Sequence, residues 1–82
     1  MLFQVQTPTI RSQYLSSEIN AEVFLKLENL QYTSSFKVRG AYVSIKRLKE
    51  KQKQMGVIAM SAGNHAQAVA WWAKKNALRL QL

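Results

Sequence analysis

Residues 28–41, ENLQYTSSFKVRGA, decide how this chain folds, because a polar loop, a helix cap and an amphipathic helix start follow one another in them. Ser34 or Ser35 is suited to cap that helix, and Lys37 falls in its first turn. A second polar stretch, SAGNHAQ at residues 61–67, stands between a short apolar run and another helical pattern. The two stretches together predict a lysine at one helix start and a glycine-containing turn at the other.

Outward from these stretches, the pattern of apolar residues predicts alternating strands and helices. We expect strands at 23–28, 57–60 and 77–82, a helix at about 36–52, and a helix at 65–76 capped by Asn64. The first helix carries an apolar stripe at helical spacing, made of Val38, Ala41, Tyr42, Ile45 and Leu48. This order is typical of an α/β fold in which crossover helices connect the strands of a parallel sheet.

Composition excludes several classes of protein. The chain has 82 residues, which is enough for one small domain with a modest core. It has no cysteine, so it offers no disulfide and no thiolate metal site, and it fits a reducing, cytoplasmic compartment. Residues 1–6 lack the basic and apolar segments of a leader, and no apolar run is long enough to span a bilayer.

The net charge is +8, and four of the basic residues, Lys46, Arg47, Lys49 and Lys51, fall on the polar face of the first predicted helix. Such an excess can favour nucleic acid or an acidic membrane. It can equally belong to a piece whose acidic complement lies elsewhere. No aromatic residues are interspersed with these charges as a single-strand binding surface requires. We therefore rank nucleic-acid binding last and expect no membrane binding.

Lys37 is the candidate nucleophile. A lysine attacks an aldehyde only as the neutral amine, and the partial positive charge of a helix start disfavours the ammonium form. Phe36 can lie against a flat aromatic ring, whereas Arg39 points to the other side of the helix. The plain alternative is a solvated surface lysine, which is the commoner state.

The turn at 61–65 is a candidate anion site. A strand that ends at a helix start presents unpaired backbone N–H groups, and Gly63 allows a ligand to approach closely. Asn64 supplies both a donor and an acceptor, and His65 can add a donor. The plain alternative is an ordinary strand-to-helix turn with an asparagine cap. An amine and an anion site together suggest pyridoxal phosphate.

In these motifs the chain resembles the serine/threonine dehydratases, pyridoxal-phosphate enzymes of fold type II related to the tryptophan synthase β chain. The resemblance runs from Thr7-Pro8 through SFKVRGA at 35–41 to SAGNHAQ at 61–67, and covers almost the whole chain. It implies pyridoxal 5'-phosphate as the cofactor. It also implies that the chain is an incomplete piece of the fold type II α/β architecture, with a partial parallel sheet and crossover helices.

The resemblance implies a role for each matching residue. Lys37 matches the lysine that bonds to the cofactor's aldehyde and moves the substrate's α-proton, and Phe36 matches the aromatic residue beside the pyridine ring. Asn64 matches the asparagine that bonds to the cofactor's phenolic oxygen. The family binds the substrate carboxylate at the positions of Ser61, Gly63, Asn64 and His65. Racemases of the family carry an acid/base serine where this chain has Ala62, which favours a dehydratase.

The chain departs from the family in two turns and in length. The family usually reaches its lysine through Pro-Thr-Gly-Ser, whereas this chain has Ser34 in place of the glycine. Ala77 stands where a glycine usually follows the second helix, so we expect Asn76 to take the left-handed conformation instead. The family's glycine-rich phosphate loop lies further along its chains and has no counterpart in these 82 residues. In family terms, residues 1–55 begin the large cofactor-binding domain and 56–82 begin the smaller domain.

These observations leave three functional hypotheses. The first is a fragment of a dehydratase that converts threonine or serine to a 2-oxo acid and ammonia, inactive as the isolated 82 residues. The second is a non-catalytic interaction protein that docks on a full-length relative and forms an oligomer with it. The third is a small basic nucleic-acid binder, whose binding would weaken steeply with salt.

Overall fold

The computed structural model describes residues 4–82, and in that range it contains four short strands and four α-helices. In chain order these are β1 (Thr9–Arg11), α1 (Gln13–Ile19), β2 (Phe24–Lys26), α2 (Lys37–Lys46), α3 (Glu50–Met55), β3 (Val57–Ile58), α4 (Asn64–Lys75) and β4 (Leu80–Gln81). Residues 1–3 lie outside the described residues, so the leader prediction made on residues 1–6 falls partly outside them. No helix within 4–82 has both the length and the apolar character needed to cross a lipid bilayer.

The strands form two separate pairs. β3 and β4 are parallel, with Val57 opposite Leu80, and α4 connects them, which confirms the predicted α/β class with a crossover helix. β2 lies within the strand predicted at 23–28, but it pairs antiparallel with β1 rather than joining the parallel pair. The sequence did not predict β1 because all three of its residues are exposed and therefore show no apolar alternation.

The single helix predicted at 36–52 is divided into α2 and α3. The chain leaves the helical conformation at Lys49, which is extended (φ −74°, ψ 157°). The side-chain oxygen of Gln52 accepts a hydrogen bond of 2.8 Å from the Lys49 backbone N–H, so a new helix start competes with continuation of α2. The apolar stripe concealed the break because Leu48 remains half-buried after α2 has ended.

The core lies where α2 packs against α4. The predicted inward faces of both helices are confirmed by the burial of Val38, Ala41, Ile45, Val69, Trp72 and Ala73. The indole N–H of Trp72 donates a 2.7 Å hydrogen bond to the Val38 carbonyl, which satisfies the one polar group of a side chain that is 2% exposed. The buried cluster includes residues on both sides of position 55, and the division into two domains stays a prediction.

The end of α4 differs from the sequence expectation. Asn76 keeps a negative φ of −105°, and Ala77 takes the left-handed conformation with φ 53°. The N–H of Leu78 donates to the Ala73 carbonyl at 2.8 Å and that of Ala77 to the Lys74 carbonyl at 3.2 Å. These are the paired bonds of a Schellman motif, whose left-handed residue is usually glycine because a Cβ is disfavoured there.

Replacing Ala77 with glycine should therefore raise the free energy of unfolding by about 1 kcal/mol. The measurement is urea denaturation of the wild-type protein and the variant. Ala70→Gly is the matched control because it makes the same chemical change inside α4, where it should lower the free energy of unfolding by about 1 kcal/mol. Destabilisation by both substitutions would contradict the left-handed assignment of Ala77.

Candidate functional site

A cleft of about 490 Å³ opens between α2, β3 and α4. Most of its wall is aliphatic, formed by Ala41, Ile45, Leu48, Val57, Ile58, Ala59 and Val69. Three polar side chains, Lys37, Ser44 and His65, interrupt this apolar lining. An apolar cleft with a few convergent polar groups is typical of a site for a small molecule.

Lys37 is the first residue of α2, and Phe36 occupies the cap position that we predicted for Ser34 or Ser35. The Ser35 hydroxyl still accepts a long hydrogen bond of 3.4 Å from the Lys37 backbone N–H. The Lys37 ammonium lies 5.4 Å from the centre of the Phe36 ring, and that ring is 61% exposed. No carboxylate within residues 4–82 forms a salt bridge with Lys37, so its amine is available to a ligand.

The second motif, residues 61–67, spans the turn before α4 and the first turn of that helix. Gly63 occupies the cap position without a side-chain bond, and Asn64 is already helical, so the predicted cap role of Asn64 is wrong. Ser61 accepts a hydrogen bond of 3.2 Å from the Gly63 backbone N–H. The side chains of Asn64 and His65 are exposed and form no hydrogen bond with any residue in the described range. Their polar atoms and the N–H groups of the first turn are thus free to bind an anion.

The structure brings together some of the predicted site residues. Phe36, Lys37 and His65 line the same cleft. Ser61 and Gly63 lie in the turn before α4, and Asn64 is the first residue of that helix. None of the three is part of the cleft wall, so their ligand contacts stay predictions.

Sequence reasoning missed two residues of the cleft wall, Gly40 and Ser44. They lie three and seven residues after Lys37. Because residues at this spacing share one face of a helix, the period of α2 could have identified them.

A polar cluster around Glu28 ties α2 to the segment before β1. Glu28 forms a salt bridge with Arg39, and it accepts hydrogen bonds from the Thr7 hydroxyl at 2.5 Å and the Gln31 amide at 3.1 Å. The hydrogen bond from Arg39, followed by that from Thr7, lowers the pKa of Glu28 to about 2. The same ion pair raises the pKa of Arg39. Arg39 thus binds Glu28, which agrees with the expectation that it points to the other side of the helix from Lys37.

Substituting Glu28 with glutamine should flatten the acid dependence of stability. The pKa of Glu28 is lowered on folding from 4.5 to about 2, so its carboxylate stabilises the fold above pH 4.5, and this contribution is lost as the pH falls toward 2. Urea midpoints measured across this interval should therefore fall more steeply for the wild-type protein than for the variant. Glu22→Gln is the control, because it changes only an exposed ion pair with Arg11. Equal slopes for wild type and Glu28→Gln would contradict this assignment.

Comparisons with known proteins identify the family to which the chain is similar. Residues 1–80 match the family described as pyridoxal-phosphate dependent enzyme. The catabolic L-threonine dehydratase TdcB of Staphylococcus aureus (strain USA300) is 59% identical over 70 residues, which are 84% of this chain and 20% of that protein. The chain thus spans about a fifth of the length of the curated relatives that it matches.

Solved structures show the same similarity. Maize serine racemase superimposes with a TM-score of 0.88 at 36% identity, over 95% of this chain and 24% of that one. The processed form of threonine deaminase isoform 2 from Solanum lycopersicum gives a TM-score of 0.86 at 33% identity, over 95% of this chain and 23% of that one. Because the family match covers nearly every residue and the fold agrees with these neighbours, the chain belongs to the pyridoxal-phosphate dependent enzymes of fold type II.

Proposed function

We propose that the enzyme containing this sequence is a pyridoxal-phosphate dependent dehydratase that converts threonine or serine to a 2-oxo acid and ammonia. One observation carries the proposal: Lys37 begins α2 beside the exposed Phe36 ring and shares a cleft with His65. The identity of 59% to an L-threonine dehydratase supports the reaction class. A cytoplasmic location and assembly with further copies or full-length relatives belong to the same proposal.

The described residues fit the chemistry of pyridoxal phosphate. Its aldehyde requires an amine, and the Lys37 amine has no carboxylate partner within residues 4–82. Its flat ring requires an apolar neighbour, and the Phe36 ring is 61% exposed beside that amine. When bound, the cofactor supplies an electron sink for the negative charge that develops on the substrate's α-carbon.

Each residue of the proposed site has a separate task. Lys37 Nζ would hold the cofactor at its aldehyde carbon and, as the neutral amine, would accept the proton from the substrate's α-carbon. Phe36 would orient the ring and exclude water from one of its faces. The Asn64 amide would bind the phenolic oxygen, and the N–H groups around Gly63 and His65 would bind the substrate carboxylate.

Ala62 supports dehydration over racemisation. Its methyl group can neither take nor give a proton, whereas inversion at the α-carbon needs an acid and a base on opposite faces of the substrate. With Lys37 as the acid/base group on one face, the expected outcome is loss of the β-hydroxyl and not inversion.

Asn64→Ala should separate binding from folding. Because Asn64 does not cap α4 and its side chain forms no bond within residues 4–82, the urea midpoint should stay within the range of a neutral surface substitution. Turnover should fall about 10- to 100-fold, the loss expected for one hydrogen bond to a charged group. Asn29→Ala, at another exposed asparagine, should leave both quantities unchanged. A fall in stability that accounts for the lost turnover would assign Asn64 a structural role.

The reaction itself is tested with the purified enzyme that contains this sequence. Incubation with L-threonine should release 2-oxobutanoate and ammonia in equal amounts, and L-serine should release pyruvate. Conversion of L-serine to D-serine without release of a 2-oxo acid would overturn the proposed dehydration.

The second candidate, a docking protein without catalytic activity, is favoured by the exposed apolar side chains around β3. Met55, Ile58 and Met60 are 74%, 79% and 98% exposed, and side chains of this kind mark a surface for a partner. A polypeptide of these 82 residues alone should show no turnover, because the family's phosphate loop is not among them. It should associate in sedimentation experiments, because its apolar side chains around β3 are exposed. Stable co-sedimentation with a full-length relative would support docking, whereas robust turnover by a monomer would contradict both expectations.

A further inference from the structure

The loop that leads into Lys37 has few polar restraints. Gln31 itself is well bonded, but the residues between it and Lys37 form only two backbone bonds, from the Ser34 N–H to the Gln31 carbonyl at 2.8 Å and from the Arg39 N–H to the Phe36 carbonyl at 3.1 Å. The Lys37 N–H adds the long bond to the Ser35 hydroxyl. The Thr33 hydroxyl is buried and has no partner among the described residues. Ser34 adopts φ 61°, a conformation that disfavours any residue with a Cβ. Tyr32 and Thr33 therefore form no hydrogen bond within residues 4–82 that could fix this part of the loop.

An aromatic stack supplies the missing restraint. The Tyr32 ring lies on the Trp71 ring of α4, with ring centres 4.9 Å apart and planes inclined by 17°. The Lys75 ammonium lies 4.9 Å from the centre of the same indole. The Trp71 indole N–H is buried without a partner in residues 4–82, so the ring is held by its faces and not by its nitrogen. Aromatic pairs of this kind stabilise beyond the area that they bury.

The two adjacent tryptophans hold the chain on either side of Lys37. Trp71 contacts Tyr32, five residues before the lysine, and Trp72 donates its hydrogen bond to the carbonyl of Val38, the residue after it. Both tryptophans belong to α4, the helix whose first turn carries His65. One rigid helix therefore sets the position of the lysine segment relative to the anion-binding turn.

We propose that Tyr32 is a positioning residue, which through its stack on Trp71 fixes the loop before Lys37 and sets the place of the Lys37 amine relative to His65. This inference rests on the proposed function for the role of Lys37, but the stack itself is independent of any ligand. Tyr32 reaches the reaction only through the backbone, so its loss should alter the rate of chemistry more than the binding of substrate.

The test compares Tyr32→Leu, Tyr32→Phe and Tyr14→Leu in the enzyme that contains this sequence. Tyr32→Leu should accelerate amide hydrogen exchange at residues 33–37 and lower kcat, each by up to about tenfold, with KM nearly unchanged. Tyr32→Phe keeps the ring and should restore both values. Tyr14 is 72% exposed and forms no ring contact among residues 4–82, so Tyr14→Leu should match the wild type.

Three outcomes would overturn the inference: exchange at 33–37 equal to that of Tyr14→Leu, faster exchange without loss of kcat, or a uniform rise in exchange with a lower urea midpoint. Failure of Tyr32→Phe to restore kcat would overturn it as well. Covalent capture of pyridoxal phosphate on another lysine would refute the proposed function separately, because the exchange measurement needs no cofactor.

Discussion

Replacing Lys37 with alanine should abolish turnover by the enzyme that contains this sequence and should end covalent retention of pyridoxal phosphate. Loss of a positioned acid/base group alone costs roughly 10²–10⁴-fold in rate, and here the same amine is also the proposed attachment point. Because Lys37 is exposed and forms no salt bridge within residues 4–82, the urea midpoint of the cofactor-free protein should not change. Formation of 2-oxobutanoate and cofactor absorbance after gel filtration measure the two effects.

Two lysine variants serve as controls. Lys37→Arg keeps the positive charge but cannot supply a neutral amine, so it should be as inactive as Lys37→Ala. Lys51→Ala removes an exposed lysine of α3 that lies outside the cleft wall, and it should retain full turnover. Substantial turnover by Lys37→Arg would show that this residue acts only through its charge.

Gly56→Ala should be the most destabilising of the single substitutions considered. Gly56 has φ 89° and ψ −171°, a region that is open almost only to glycine and costs a residue with a Cβ about 1–3 kcal/mol. A Cβ at this position would also lie 2.8 Å from the Arg79 carbonyl oxygen. Since the Val57 N–H donates to that same carbonyl at 2.8 Å, relief of the clash would disturb the pairing of β3 with β4.

Gly40→Ala is the matched control for stability. Gly40 is helical, and a Cβ there would meet no atom within 4 Å, so alanine should raise the free energy of unfolding by about 0.5–1 kcal/mol. Urea denaturation of both variants should therefore give shifts of opposite sign. A small effect of Gly56→Ala would contradict the observed close approach between Gly56 and Arg79.

The α/β class could be predicted from the sequence because apolar periodicity identifies the elements that bury a face. The stripe on α2 and the inward face of α4 both belong to the core. The antiparallel β1–β2 pair was missed because the side chains of β1 are all exposed. The break between α2 and α3 was missed because it is marked by a hydrogen bond that the Gln52 side-chain oxygen accepts from the Lys49 N–H, and no periodic pattern reveals such a bond.

The sequence marks Lys37, Phe36 and His65 as residues at helix starts, and the structure places all three in the wall of one cleft. Their roles toward a ligand stay predictions. The predicted helix cap was wrong by one residue, because α4 begins at Asn64 itself and Gly63 occupies the cap position. The contacts of Glu28 with Thr7 and Arg39 were beyond prediction, because they join segments that are distant in sequence. The sequence shows Ser34 and Ala77 at positions where the family usually has glycine, and the structure adds that both residues themselves adopt positive φ angles.

One measurement tests the central claim most directly: borohydride reduction of the enzyme loaded with pyridoxal phosphate, followed by digestion and peptide mapping. Reduction fixes the cofactor to whichever amine holds it. The account predicts a single modified peptide with the cofactor on Lys37, next to Phe36. Modification of any other lysine, with Lys37 recovered unmodified, would contradict it.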